Sequence, residues 1–171
     1  YILEHFLKQC LDADDHLVLP DDRAMVSMTD DIVGGYLSQV FPDEIELTTL
    51  HVFRRMHTLT LLLLRDIVEE LTHSAFTPTQ FELHIGGRQP GCPPPYEIPL
   101  SDGKRMTLSG KVDRVDFFRK EDALYLRVVD YKSNKKVFSL DDVKKGLNIQ
   151  MLLYLFALCK PEHIQPAGVQ Y

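Results

Sequence analysis

Long apolar runs are missing from this sequence. The densest stretch, LTLLLLRDIV (Leu59 to Val68), is broken by Arg65 and Asp66, so it reads as a buried helix and not as a bilayer span. A secretory leader is missing too: YILEHFLKQC starts in what reads as mid-helix and without an initiator Met, so the chain is expected to be a piece of a longer polypeptide. Cysteine is scarce. Cys10, Cys92 and Cys159 lie far apart and are odd in number, and no Cys-x-x-Cys or His–Cys spacing would build a zinc or iron–sulfur site from these three alone. They read as free thiols of a reducing compartment, and the expected location is the cytoplasm. Internal repeats and low-complexity tracts are also absent.

What remains is 171 residues, 44% hydrophobic and 26% charged, enough for one domain with a proper core. The net charge of −6 argues at first against a nucleic-acid partner, but its distribution does not. Residues 103–145 hold 12 of the 19 Lys and Arg against 7 acids, whereas the rest of the chain holds 7 basic and 18 acidic residues. A basic segment inside an acidic chain is expected of a local polyanion contact. Solvated strand and loop faces produce the same pattern, so charge alone leaves both readings open.

Periodicity divides the chain at about residue 75. Ile2, Leu3, Phe6, Leu7 and Cys10 recur at helical spacing. After the acidic connection LDADDHLVLPDD, helices are expected at about 28–40 and from Thr48 to His73, the last with Val52, Met56, Leu59, Leu63, Ile67 and Leu71 on one stripe. From residue 76 the pattern alternates. FTPTQFELHIGG, RMTLSGKVDRVDFF and ALYLRVVDYKS read as strands, the last two joined by the charged turn RKED in an antiparallel hairpin. PGCPPPYEIPL is too proline-rich for a central strand and reads as a loop entering an edge. Ser139 and Asp142 suggest an N-terminal cap for one helix over 140–160, and PAGVQY opens a further strand. The expected fold class is α+β, a mixed sheet flanked by helices behind a helical N-terminal portion (1–75), the whole read as a single domain.

One strand carries an unusual end. In VVDYKSNKK, Asp130 and Lys132 share a strand face, and apolar residues of both parities imply cover on both sides. Burying an acid and an amine there is unfavourable unless each has a partner or a task. If the hairpin turns at RKED, positions whose numbers sum to about 243 pair, which sets Asp113 opposite Asp130. Two converging carboxylates repel unless a cation lies between them. Hard oxygen donors without His or Cys nearby favour Mg²⁺, or Mn²⁺ in its place. Such an ion binds a phosphate oxygen and activates water, and Lys132 beside it would neutralise charge building on phosphorus. Gln150 and Tyr154 lie one helical turn apart on the next helix, and Ser133, Asn134, Lys135 and Lys136 offer phosphate contacts on the loop between. Taken singly, an Asp-x-Lys triplet is usually an exposed ion pair. The order of the elements is what carries the reading.

That order resembles the PD-(D/E)XK nuclease superfamily in its RecB-like branch, through GKVDRVD, VVDYKS and GLNIQMLLYL. The match is strong over about residues 76–159 and looser before it. The resemblance implies a restriction-endonuclease-like core. It makes Asp113 the acid of the first catalytic strand, Asp130 and Lys132 the (D/E)xK element, the Tyr131 carbonyl a further metal ligand, and Gln150 with Tyr154 the helix motif near the scissile strand. Asp116, of opposite strand parity, reads as a structural or ion-pairing residue, and Glu82 stays outside the assignment. The branch usually adds a metal-ligating His on the first helix, expected about one position before Tyr1; His5 lies one turn along. Its iron–sulfur cluster is held by flanking cysteines that these residues do not include.

The implied activity is metal-dependent exonucleolytic hydrolysis of DNA phosphodiesters. The implied partners are a single DNA strand and a helicase–nuclease partner subunit, in double-strand break repair and recombination. No membrane partner is expected. The rival reading is a catalytically inactive nuclease-like module that binds DNA or scaffolds a complex.

Overall fold

The computed structural model describes residues 1–43, 45–132, 139–146, 149–161 and 163–171. The chain divides into two compact units, Tyr1–Ala75 and Phe76–Tyr171. Among the described residues, no helix is long and apolar enough to cross a membrane.

The first unit is helical: α1 (Ile2–Gln9), α2 (Asp22–Val40) and α3 (Leu47–Thr72). Helix α2 starts earlier than its apolar spacing suggests, because Asp21 caps it by accepting the Ala24 N–H at 2.8 Å. The expected stripe on α3 is split by burial. Leu64, Ile67 and Leu71 are buried, whereas Val52, Met56, Leu59 and Leu63 are exposed. Periodicity determines which side of a helix is apolar, not whether anything covers it.

The second unit contains a four-stranded sheet in the order β1 (Thr77–Ile85), β4 (Gly110–Lys120), β5 (Ala123–Val129), β6 (Ile164–Gln170). The β1–β4 and β4–β5 pairs are antiparallel, and β5–β6 is parallel. This is the expected mixed sheet. The proline-rich segment, expected as a loop, contributes a short strand β2 (Tyr96–Pro99), which pairs with β3 (Arg105–Leu108) in a separate ribbon. A two-stranded ribbon outside the main sheet leaves room for prolines that a central strand would not accept. The strand expected over RMTLSGKVDRVDFF is therefore two, interrupted at Ser109.

The helix expected over 140–160 is also two: α4 (Leu140–Lys144) and α5 (Gln150–Leu158). Gly146, at φ +78°, lies between them in a conformation that ends a helix. The Ser139 cap is present, its hydroxyl accepting the Asp142 N–H at 3.3 Å.

Residues of β4 and β5 alternate between two faces. On one, Val115, Leu126 and Val128 pack with Met151, Tyr154 and Leu155 of α5 to form the core. The other carries Arg114, Asp116 and Arg127. Burial of the shared apolar face anchors α5 against the sheet and so places the start of that helix beside the end of β5.

Candidate active site at the end of the central hairpin

The β4–β5 ladder runs from Lys120 opposite Ala123 to Arg114 opposite Val129. One step further along this register sets Asp113 opposite Asp130. The two-residue turn Glu121–Asp122 determines that register, with Glu121 at φ +53°. Asp113 is fastened there, because the Tyr131 N–H donates to its Oδ2 at 2.9 Å. Asp130 leaves β5 with its own N–H donating to the Gln170 carbonyl at 3.0 Å, which ties it to β6.

The Asp130 side chain is 15% exposed, and Lys132 Nζ stands 2.6 Å from its Oδ2. The contact is a short ion pair. Asp130 Oδ2 is buried, and the Lys132 ammonium is the charge that meets it. The carboxylate beside it holds the Lys132 ammonium above the usual lysine range, with partial burial opposing. Lys132 is therefore a cation at neutral pH.

These three residues do not stand in one cavity. A cleft of about 310 Å³ is lined by Asp130, Lys132 and Gln150, together with Leu108, Ile149 and Tyr171. Asp113 is half-buried and does not line this cleft, but its charge acts on Lys132, which does. Tyr171 is a residue that sequence reasoning missed. Burial first, and then the Asp130 charge, push its hydroxyl above the usual tyrosine range. The parallel pairing of β6 with β5 brings it to the cleft, and no local pattern announces that pairing.

Gln150 and Tyr154 are brought together, but they do different things. Gln150 Nε2 donates to the Tyr154 hydroxyl at 2.7 Å, and Tyr154 is only 4% exposed, inside the core. Ser133, Lys135 and Lys136, expected as phosphate contacts, lie outside the described residues, as does Asn134.

Asp116 takes the ion-pairing part expected of it. It is fully buried, with Arg114 Nε at 2.8 Å from Oδ1 and Arg127 Nη2 at 2.6 Å from Oδ2. Arg114 Nη1 also donates to the Tyr131 hydroxyl at 2.9 Å, and the Arg127 guanidinium stacks over Phe76. Burial raises the Tyr131 hydroxyl above its usual range, with Arg114 opposing, so it stays protonated. Glu82 sits in β1 at φ +53° and pairs with Lys111.

The donor set suits a hard divalent cation: two carboxylates at facing positions of the hairpin and the neighbouring Tyr131 carbonyl. A separate grouping, Asp12, Asp14 and His16, lies in the first unit and is wholly exposed. Its geometry follows from the Asp12 side chain accepting the N–H groups of Asp14 and His16. His5 is exposed, and its Nδ1–H donates to the Tyr1 carbonyl at 2.8 Å.

An acid on one strand, Asp-x-Lys ending the next and Gln-x-x-x-Tyr on the helix beside them keep in the fold the order they have in the sequence. The family model described as the PD-(D/E)XK nuclease superfamily matches residues 2–171, and the chain belongs to that family. Among curated relatives, it is 35% identical to the B subunit of the ATP-dependent helicase/deoxyribonuclease of Clostridium tetani over 71% of this chain and 11% of the relative. The corresponding protein of Acetivibrio thermocellus is 40% identical over 69% of this chain and 11% of the relative. That of Clostridium novyi is 41% identical over 61% and 10%. The chain thus spans about a tenth of the relatives it matches.

Proposed function

We propose that this chain is the Mg²⁺-dependent deoxyribonuclease portion of a helicase–nuclease, hydrolysing DNA phosphodiesters of a single strand, exonucleolytically, during double-strand break repair and recombination. The observation that carries the reading is the fastening of Asp113 to the Tyr131 N–H at the point where Asp130 and Lys132 leave β5. Asp113 and Asp130 would hold the metal, with the Tyr131 carbonyl completing the set. When bound, a divalent cation supplies Lewis-acid stabilisation of the phosphate and a water of lowered pKa.

The protein's own groups do the rest. Lys132 keeps a full positive charge at the mouth of the cleft, where negative charge builds on the phosphate oxygens. The Tyr131 N–H holds one oxygen of Asp113 in place. Gln150 presents its side chain at the cleft wall to align the strand. Lys135 and Lys136 extend the cationic path along the sequence. The helicase in the relatives' names supports a partner that delivers the strand.

The test is cleavage of end-labelled single-stranded DNA with Mg²⁺, and calorimetric titration of Mn²⁺. Wild type is expected to cleave and to bind the ion, and Asp113→Ala to lose both. Unchanged cleavage by Asp113→Ala sinks the assignment. DNA binding that survives without metal, in a protein that binds no Mn²⁺, favours the inactive binding module instead.

A further inference from the structure

The socket beneath Tyr154 assigns that residue a role different from touching DNA. Gly110, the first residue of β4, stands three positions before Asp113 and pairs with Ile85. A methyl group built at Gly110 would come within 1.9 Å of the Tyr154 hydroxyl oxygen, 2.7 Å of Cζ and 2.9 Å of Cε1. Gly110 is not among the positive-φ glycines. Its backbone therefore does not demand glycine, and only the space that the tyrosine fills does.

Three observations converge on the same contact. Tyr154 is 4% exposed, so its ring has no free face for a nucleobase. Its hydroxyl meets the strand that carries Asp113, in the place of a missing Cβ. The same hydroxyl accepts from Gln150 Nε2 at 2.7 Å, and Gln150 lines the cleft that Asp130 and Lys132 also line. The side chain that faces the cleft is thus held by one that does not.

We infer that Tyr154 is a positioning residue, seated in a glycine-shaped socket on β4 so that its hydroxyl orients Gln150 toward the DNA strand. The inference rests on the nuclease reading for the part played by Gln150, but not for the socket. In the helix motif, glutamine and tyrosine then act in series. The glycine that opens GKVD belongs with them, because it admits the tyrosine that sets the glutamine.

Two measurements on the intact protein test it. The first is thermal stability. Gly110→Ala should lower the melting temperature, and adding Tyr154→Leu, which removes all three crowding atoms, should reverse most of that loss. If Gly110→Ala is as stable as wild type, or the double variant is worse than the sum of its parts, the socket is refuted. This limb needs no catalysis, so it stands or falls even if wild type cleaves no DNA, an outcome that would sink only the nuclease reading.

The second is steady-state cleavage of single-stranded DNA with Mg²⁺. Tyr154→Phe keeps the ring and loses the hydroxyl, and should lower kcat by tenfold to roughly a hundredfold, as displaced positioning groups do. Gln150→Ala should lower it to the same level, and the double variant no further, as expected of two groups acting as one unit. Gly110→Ala with Tyr154→Leu should regain stability but not turnover. Additive losses, or a Tyr154→Phe effect confined to KM for DNA, would show Tyr154 touching substrate directly and overturn the inference.

Discussion

The two faces of the β4–β5 hairpin hold the same kinds of side chain in opposite states. On one, Asp116 is enclosed by Arg114 and Arg127 and every charge has a near partner, at 0% exposure for the acid. On the other, Asp113 accepts from the Tyr131 N–H, and Asp130 pairs with Lys132, a cation that is 41% exposed. Strand alternation alone separates the two sets. The lesson is that an acid enclosed by buried cations maintains a fold, whereas an acid paired with a part-exposed cation at a cleft stays within reach of something that arrives later.

The comparison breaks most readily at Asp130. Asp130→Asn should reduce cleavage about a thousandfold, the order by which loss of one transition-state-stabilising group changes turnover, while leaving unfolding in urea nearly unaltered or shifted upward. Asp116→Ala should do the reverse. Leaving two arginines buried without their acid is expected to destabilise by about 3–5 kcal/mol in equilibrium unfolding, with residual cleavage at low temperature by whatever fraction remains folded. If Asp116→Ala abolished cleavage in a fully folded protein, the division between faces would be wrong.

Lys132→Met comes next. Turnover should fall roughly a hundredfold, but stability by less than about 1 kcal/mol, because the lysine is 41% exposed and its pairing is screened. Its pH dependence sharpens the point. A lysine whose folded pKa is raised stabilises below its unfolded value and loses that contribution only as pH climbs through the folded one. The Lys132 cation should therefore persist through the ordinary lysine value of 10.5. A fall in wild-type cleavage centred near pH 8 that disappears in Lys132→Met would contradict this, in a pH–rate profile. The smallest effect belongs to Tyr131→Phe, which links the faces. Its N–H still holds Asp113, so only the Arg114 contact is lost, and about 1 kcal/mol of stability with it, measured by chemical denaturation.

Legibility in the sequence follows the range of the interaction. The hairpin register is readable because a two-residue charged turn between alternating strands leaves one pairing that buries Val115, Leu126 and Val128 together. The cap at Ser139 is readable because it spans three residues. By contrast, the break at Gly146 is not, since a glycine within a helical pattern is often tolerated. The early start of α2 is hidden because its first turn opens on charged residues, Asp22 and Arg23, ahead of the apolar ones. The exposed half of the α3 stripe cannot be anticipated from spacing at all.

What the sequence determined by itself was the order of helices and strands and the alignment of Asp113 with Asp130 and Lys132, carried by period-two alternation and short spacings, while the family was legible as a resemblance in the motif order. What only the tertiary structure decided was which polar groups are satisfied. Asp116 and Asp130 are both aspartates of the same apolar hairpin, and arginines from both strands close around one while the other meets the part-exposed Lys132 at the cleft. Tyr154 and Gly110, forty-four positions apart, meet because α5 lies down on the sheet to bury its apolar face. Desolvation and close packing depend on the full three-dimensional surroundings of an atom, and a linear pattern holds only the part of those surroundings that lies nearby in the chain.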